Sequence, residues 1–130
     1  MDKSQALHQF WSSFGIPAID ENSAYDTRVL EEHNISYPRI TYEVAESNLG
    51  EPVVLTASLW YRQISWAEVE AKAKQIAAFI GWGGRTIQID GGYMRFMLPQ
   101  GTAIYRRLSD EDAELRRIVF NIVVDYLTAT

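Results

Sequence analysis

Between Val53 and Ile80 the hydrophobic period changes from two residues to the spacing of a helix. Val53, Leu55, Ala57, Leu59 and Tyr61 alternate with Val54, Thr56, Ser58, Trp60 and Arg62, the pattern of a strand with two unlike faces over 53–63. Ser65-Trp-Ala-Glu68 then reads as a capping box, with Ile64 and Val69 placed as its hydrophobic staple. Val69, Ala73, Ile76, Ala77 and Ile80 form the apolar stripe of a helix over 66–80, closed by Gly81. Ala71, Ala73, Ala77 and Ala78 are small enough for close packing on a sheet. A strand joined so directly to an amphipathic helix must share one core with it, which predicts an α+β fold.

The flanking segments extend this reading. Leu7, Phe10, Trp11 and Phe14 place one apolar stripe on a helix over 3–14, capped by Asp2 with Gln5 and ended by Gly15 and Pro17. Residues 17–38 are polar, acidic and bracketed by prolines, and read as a long irregular loop with a helical turn over 29–33. Ile40, Tyr42 and Val44 alternate with Thr41, Glu43 and Ala45, so residues 39–46 and 53–63 form an antiparallel hairpin across Asn48–Pro52. Residues 85–90 and 93–98 pair across the Asp90-Gly91-Gly92 turn, and residues 102–108 follow as a third short strand. Residues 113–128 fit a helix or a strand. The β-branched and aromatic residues crowding 118–124 favour the strand. The expectation is a single domain over 1–130. It has a mostly antiparallel sheet of about five strands, two main helices packed on it, and antiparallel strands over 85–127.

Composition removes several functions. The net charge of −5 argues against a binder that draws its affinity from phosphate contacts. No apolar run is long enough to span a bilayer, and the first fifteen residues lack a continuous signal-type apolar core. The absence of cysteine excludes disulfides, thiolate zinc sites and a cysteine nucleophile. Charge is uneven: residues 1–51 carry nine acids against three bases, whereas residues 52–130 are nearly balanced.

Nothing in the sequence nominates a reacting centre. His8 and His33 lack partners at metal-ligand spacing. Glu31-Glu32 and Asp110-Glu111-Asp112 read as solvated acids. Gly81-Trp-Gly-Gly-Arg85 lacks the lysine and hydroxyl of a phosphate loop and follows a helix instead of opening one. No nucleophile elbow is present. The chain reads as a non-enzyme with no cofactor and no metal site.

Several segments, in order, carry a resemblance: LHQFWSSFGIPAIDENSA at 7–24, PRITYEVAES at 38–47, LTASLWYRQISWAEVEAKAKQI at 55–76, IQIDGGYM at 87–94 and LSDEDAELRRIVFNIVVDYL at 108–127. Together they resemble the small tail-completion proteins of long-tailed bacteriophages and prophages, of the tail-terminator type. Head–tail joining adaptors and stoppers share that size and general shape. The resemblance implies α+β subunits that assemble as a hexameric ring at the head-proximal end of the tail. Such a ring stops tube polymerisation and presents a joint to the head connector or stopper. Its implied partners are other copies of the chain and the major tail tube protein. DNA passes through without sequence-specific binding, and no membrane is involved. The implied location is the virion, with assembly in the host cytoplasm.

A head-to-tail ring needs one patch that is sticky toward a different patch of the next copy. Trp60, Arg62, Trp82, Arg106, Arg107, Arg116 and Arg117 are the candidates, since tryptophan and arginine dominate interface hot spots. The acids Asp20, Glu21, Asp26, Glu31 and Glu32 would repel phosphates if they line a lumen; the tail tube or solvent are their other placements. The competing expectation is a monomeric or dimeric acidic binding module, of inhibitor or immunity type, that makes contact through the same loop.

Overall fold

The computed structural model describes residues 1–25, 27–32 and 36–128. In chain order it has α1 (Lys3–Ser12), β1 (Ala18–Asp20), a 3-10 turn (Ser23–Tyr25), α2 (Thr27–Glu32), β2 (Arg39–Tyr42), β3 (Val53–Arg62) and α3 (Ala67–Ile80). Then follow β4 (Arg85–Ile89), β5 (Gly92–Met97), β6 (Tyr105–Leu108) and β7 (Leu115–Thr128). The fold is α+β. All seven strands form one mixed sheet in the order β1-β2-β3-β7-β5-β4, with β6 also paired to β7.

β7 organises the sheet. β3 pairs antiparallel along it from Val53↔Val124 to Arg62↔Leu115, while β5 and β6 share its other edge. The strand reading of 113–128 therefore holds: Ile118, Phe120, Ile122, Val124 and Tyr126 are buried on one face. Leu55, Ala57, Leu59 and Tyr61 from β3 and Met94 and Phe96 from β5 join them. Onto this face pack Ala6, Leu7, Phe10 and Trp11 of α1 and Val69, Ala73, Ile76 and Ile80 of α3. Phe10 is the hub. Its ring stacks on Phe96 at 4.0 Å and meets Trp11 and Phe14 edge-on.

The Asp2 capping box forms as expected: Gln5 N donates to Asp2 Oδ1 at 2.8 Å and Asp2 N donates to Gln5 Oε1 at 2.9 Å. The box at Ser65–Glu68 does not. Trp66, with helical backbone angles, stands at the cap position, which moves Glu68 one place out of register. Ser65 Oγ accepts from Ala67 N, and Glu68 accepts from Gln63 Nε2. Ile64 is 76% exposed and makes no staple.

Three further expectations need correction. The sheet has seven strands, not about five; it is mostly antiparallel, with one parallel pair, β1·β2. Residues 17–38 are not one irregular loop: Ala18–Asp20 pairs parallel with Ile40–Tyr42, and the 3-10 turn and α2 follow. Ile40 N donates to Pro17 O and Glu21 N to Tyr42 O, so partners some twenty residues away make this strand. Three residues are too few to show a period. Several ends also come early. α1 stops at Ser12 because Ser13 N turns back to Phe10 O. β2 stops at Tyr42, and β6 starts only at Tyr105.

Two tyrosines tie the inner face together. Tyr126 donates to Ala45 O at 2.5 Å, and the Tyr42 hydroxyl lies 3.1 Å from His8 Nδ1. Burial, reinforced by the Glu46 charge, pushes the Tyr126 phenol up to about 12. Burial and then the Asp20 charge do the same for Tyr42, also to about 12. The folded state keeps both protons after the unfolded chain begins to lose its own near 10. Their stabilising contribution is therefore complete below about pH 10 and disappears as pH rises toward 12. Circular dichroism followed beside phenolate absorbance should show late-ionising tyrosines and a fold that loosens over that interval. Titration of every tyrosine near 10 with the fold intact would contradict this.

Candidate subunit interface

The pleat of β3 and β7 decides where the candidate interface residues go. Trp60 faces Arg117 across the ladder, and Arg62 and Arg116 lie within two places of them. β6 brings Arg106 and Arg107 alongside. Six of the seven residues singled out in the sequence thus gather at one end of the sheet, divided between its two faces.

On the face away from α1 and α3, Trp60 is half-buried and donates its indole N–H to Thr41 Oγ1 at 2.9 Å. Arg117 lies over the ring at 4.5 Å and donates to Ser58 Oγ at 3.0 Å. Arg62 pairs with Asp112 at 2.8 Å and, with Arg39, rests on the Tyr37 ring. The Arg62 hydrogen bond, followed by the Glu114 backbone N–H, holds the Asp112 carboxyl below its ordinary range. Arg106 is exposed on this face. On the helical face Arg107 and Arg116 lie over Trp66 at 4.6 and 5.4 Å. Arg107 also pairs with Glu70 at 2.6 Å, and Arg116 donates to Ile64 O. This pair does structural work at the start of α3.

Farther along the outer face no described helix covers the sheet. Val54 (53% exposed), Tyr93 (50%) and Leu127 lie open there. Val54, Val123 and Met97 form one cross-strand row. Asp125 lies between this row and the Tyr93–Leu127 pair. Its Oδ1 is buried with no hydrogen-bond partner among the described residues.

Trp82 stands apart from the arginine cluster. It projects from the turn between α3 and β4 and is 90% exposed. The described acidic candidates lie at the end of β1 and on α2. Asp20 ends β1, with both carboxylate oxygens accepting from Ser23, and Glu21 follows it. Glu31 is exposed on α2, which ends at Glu32. Asp26 and His33 lie outside the described residues.

A groove of about 720 Å³ runs beside β1, lined by His8, Ser12, Pro17, Ile19, Asp20 and Tyr42 among others. His8 joins its two walls, with Nδ1 toward Tyr42 and Nε2 3.2 Å from Ser12 Oγ. Only the one-turn spacing of His8 and Ser12 was visible beforehand; Tyr42 arrives through strand pairing. Among the described residues no three or more metal-ligating side chains come together, and no helix is long and apolar enough to cross a membrane.

The geometry defines an α+β domain with an open sheet face, an exposed tryptophan and a groove at one sheet edge. Comparison with known proteins finds no matching family model, no matching curated protein and no matching solved structure.

Proposed function

We propose that this chain is a non-catalytic structural subunit of a long-tailed phage. It assembles as a ring, a hexamer by the resemblance, at the head-proximal end of the tail tube. There it ends tube polymerisation and provides the joint to the head connector, while DNA passes without specific contact. The resemblance of ordered segments over most of the chain supports this reading. The observation that carries it is the uncovered outer sheet face with Val54, Tyr93 and Leu127 open. Exposed apolar side chains on a sheet face, interrupted by the Arg95–Asp125 row, are the kind of surface that a partner protein buries.

Negative-stain microscopy and mass photometry, with and without polymerised tail tube protein, test it. Closed rings, alone or at tube ends, are expected. Val54→Lys should stay folded and fail to cap tubes. A wild-type chain that neither self-associates nor meets the tube overturns the proposal. That result favours the second reading, a monomeric or dimeric acidic binding module. The groove beside β1, with Asp20 in its wall, is the observation in favour of that module.

A further inference from the structure

We infer that Trp82 of one copy seats in the groove beside β1 of a second copy, joining copies head to tail. This rests on the ring reading and assigns a contact within it. Trp82 is the most exposed large apolar side chain among the described residues. Its turn is well anchored. Gly81 and Gly84 take positive φ at 62° and 73°, and Arg95 Nη2 donates to Gly83 O at 2.9 Å. Arg85 lies over Phe79 and donates to the Phe79 carbonyl. A tryptophan carried on an anchored backbone has only its own side-chain rotamers to fix on binding, which favours it as an anchor.

The groove suits it in size, polarity and charge. Its 720 Å³ lies within the roughly 300–1,000 Å³ of ordinary ligand pockets. Pro17 and Ile16 offer apolar surface to an aromatic ring, over the buried Ala18 and Ile19. The indole N–H is a donor only, and the Asp20 carboxylate in the wall is an acceptor. Arg85 and Arg95 flank the tryptophan, whereas Asp20 and Glu21 flank the groove, so the two patches are oppositely charged. Such complementarity sets register and steers encounter.

Topology makes the contact directional. β1 and β4 are the two edges of the sheet order, with the groove beside one and Trp82 on the turn into the other. A patch that binds a different patch is a heterologous interface, which closes into a ring when the rotation allows.

Sedimentation and mass photometry on paired variants test the inference. Trp82→Ala should weaken self-association by about thirtyfold or more, as for an interface hot spot. Ser12→Trp, which fills the groove, should do the same. Mixed together, the two should form a one-to-one heterodimer and go no further, because each retains one intact half. The chain contains no cysteine. Ser12→Cys with Gly83→Cys, at a glycine with open space around it, should therefore give a ladder of covalent multimers with a short bismaleimide. This arm decides if Ser12→Trp fails to fold. Wild-type rings that persist unchanged in Trp82→Ala, or a double-cysteine chain with no intermolecular product while rings form, overturn the inference and leave the ring reading standing. A wild-type chain that remains monomeric up to its solubility limit, with tube ends present, overturns both.

Discussion

Replacing Phe10 with alanine should cost about 3–5 kcal/mol and lower the melting temperature by about 10–20 °C. Phe10 is 2% exposed and is where α1, α3 and the sheet meet. Its ring lies 4.0 Å from Phe96 with the planes 8° apart, and 5.0 and 5.5 Å from Trp11 and Phe14. Phe79, on α3, approaches from the remaining side at 6.4 Å. These surrounding rings are rigid and are held by three different elements. They cannot collapse into the space that alanine would leave, and a cavity that persists makes truncation more costly. Phe10→Leu, which keeps much of the volume, should cost distinctly less. Scanning calorimetry on the three proteins measures this. A Phe10→Ala chain melting within a few degrees of wild type would mean that α1 is not an integral part of the core.

Gly92→Ala should destabilise by about 2–4 kcal/mol, a large effect for one added methyl group. A Cβ there would lie 2.2 Å from Leu127 O and 3.0 Å from Thr128 Cβ. Gly92 pairs with Thr128 at the end of the β5·β7 ladder, so relief requires the strands to part. Amide exchange should quicken at the ends of β5 and β7. Gly83→Ala is the control, since its Cβ meets nothing within 4 Å. Equal melting of Gly92→Ala and wild type would contradict the packing. The neighbouring glycine has another role: Gly91, at φ 76°, supplies the turn conformation itself. Asp90-Gly91-Gly92 marks both as turn glycines. Only the approach of β7 separates a need for conformation from a need for space.

The interface candidates divide in the same manner. Residue type selected Arg107 and Arg116 together with Trp60 and Trp82, because composition does not report orientation. The pleat turns Arg107 and Arg116 toward Trp66, where they brace α3, and turns Trp60 and Arg117 outward. Of the seven, Trp82 is left most open to a partner. The sequence marks Trp66, which these arginines cover, only as the interior of a capping box.

Features that repeat within a few residues are legible along the chain. The Asp2–Gln5 cap, the buried stripe of α3, the alternation of β3 and β7 and the turn at Asp90–Gly92 all depend on neighbours close in the chain. Tertiary structure decided whatever required distant partners. β1 is a strand only because β2 lies beside it, and the second capping box fails because Gln63 takes Glu68 while Trp66 sits beneath two arginines. The groove forms because β2 carries Tyr42 to a helix thirty-four residues away in sequence. Periodicity records which face of an element is apolar; the choice of the element that covers that face is made by the energy of the whole chain.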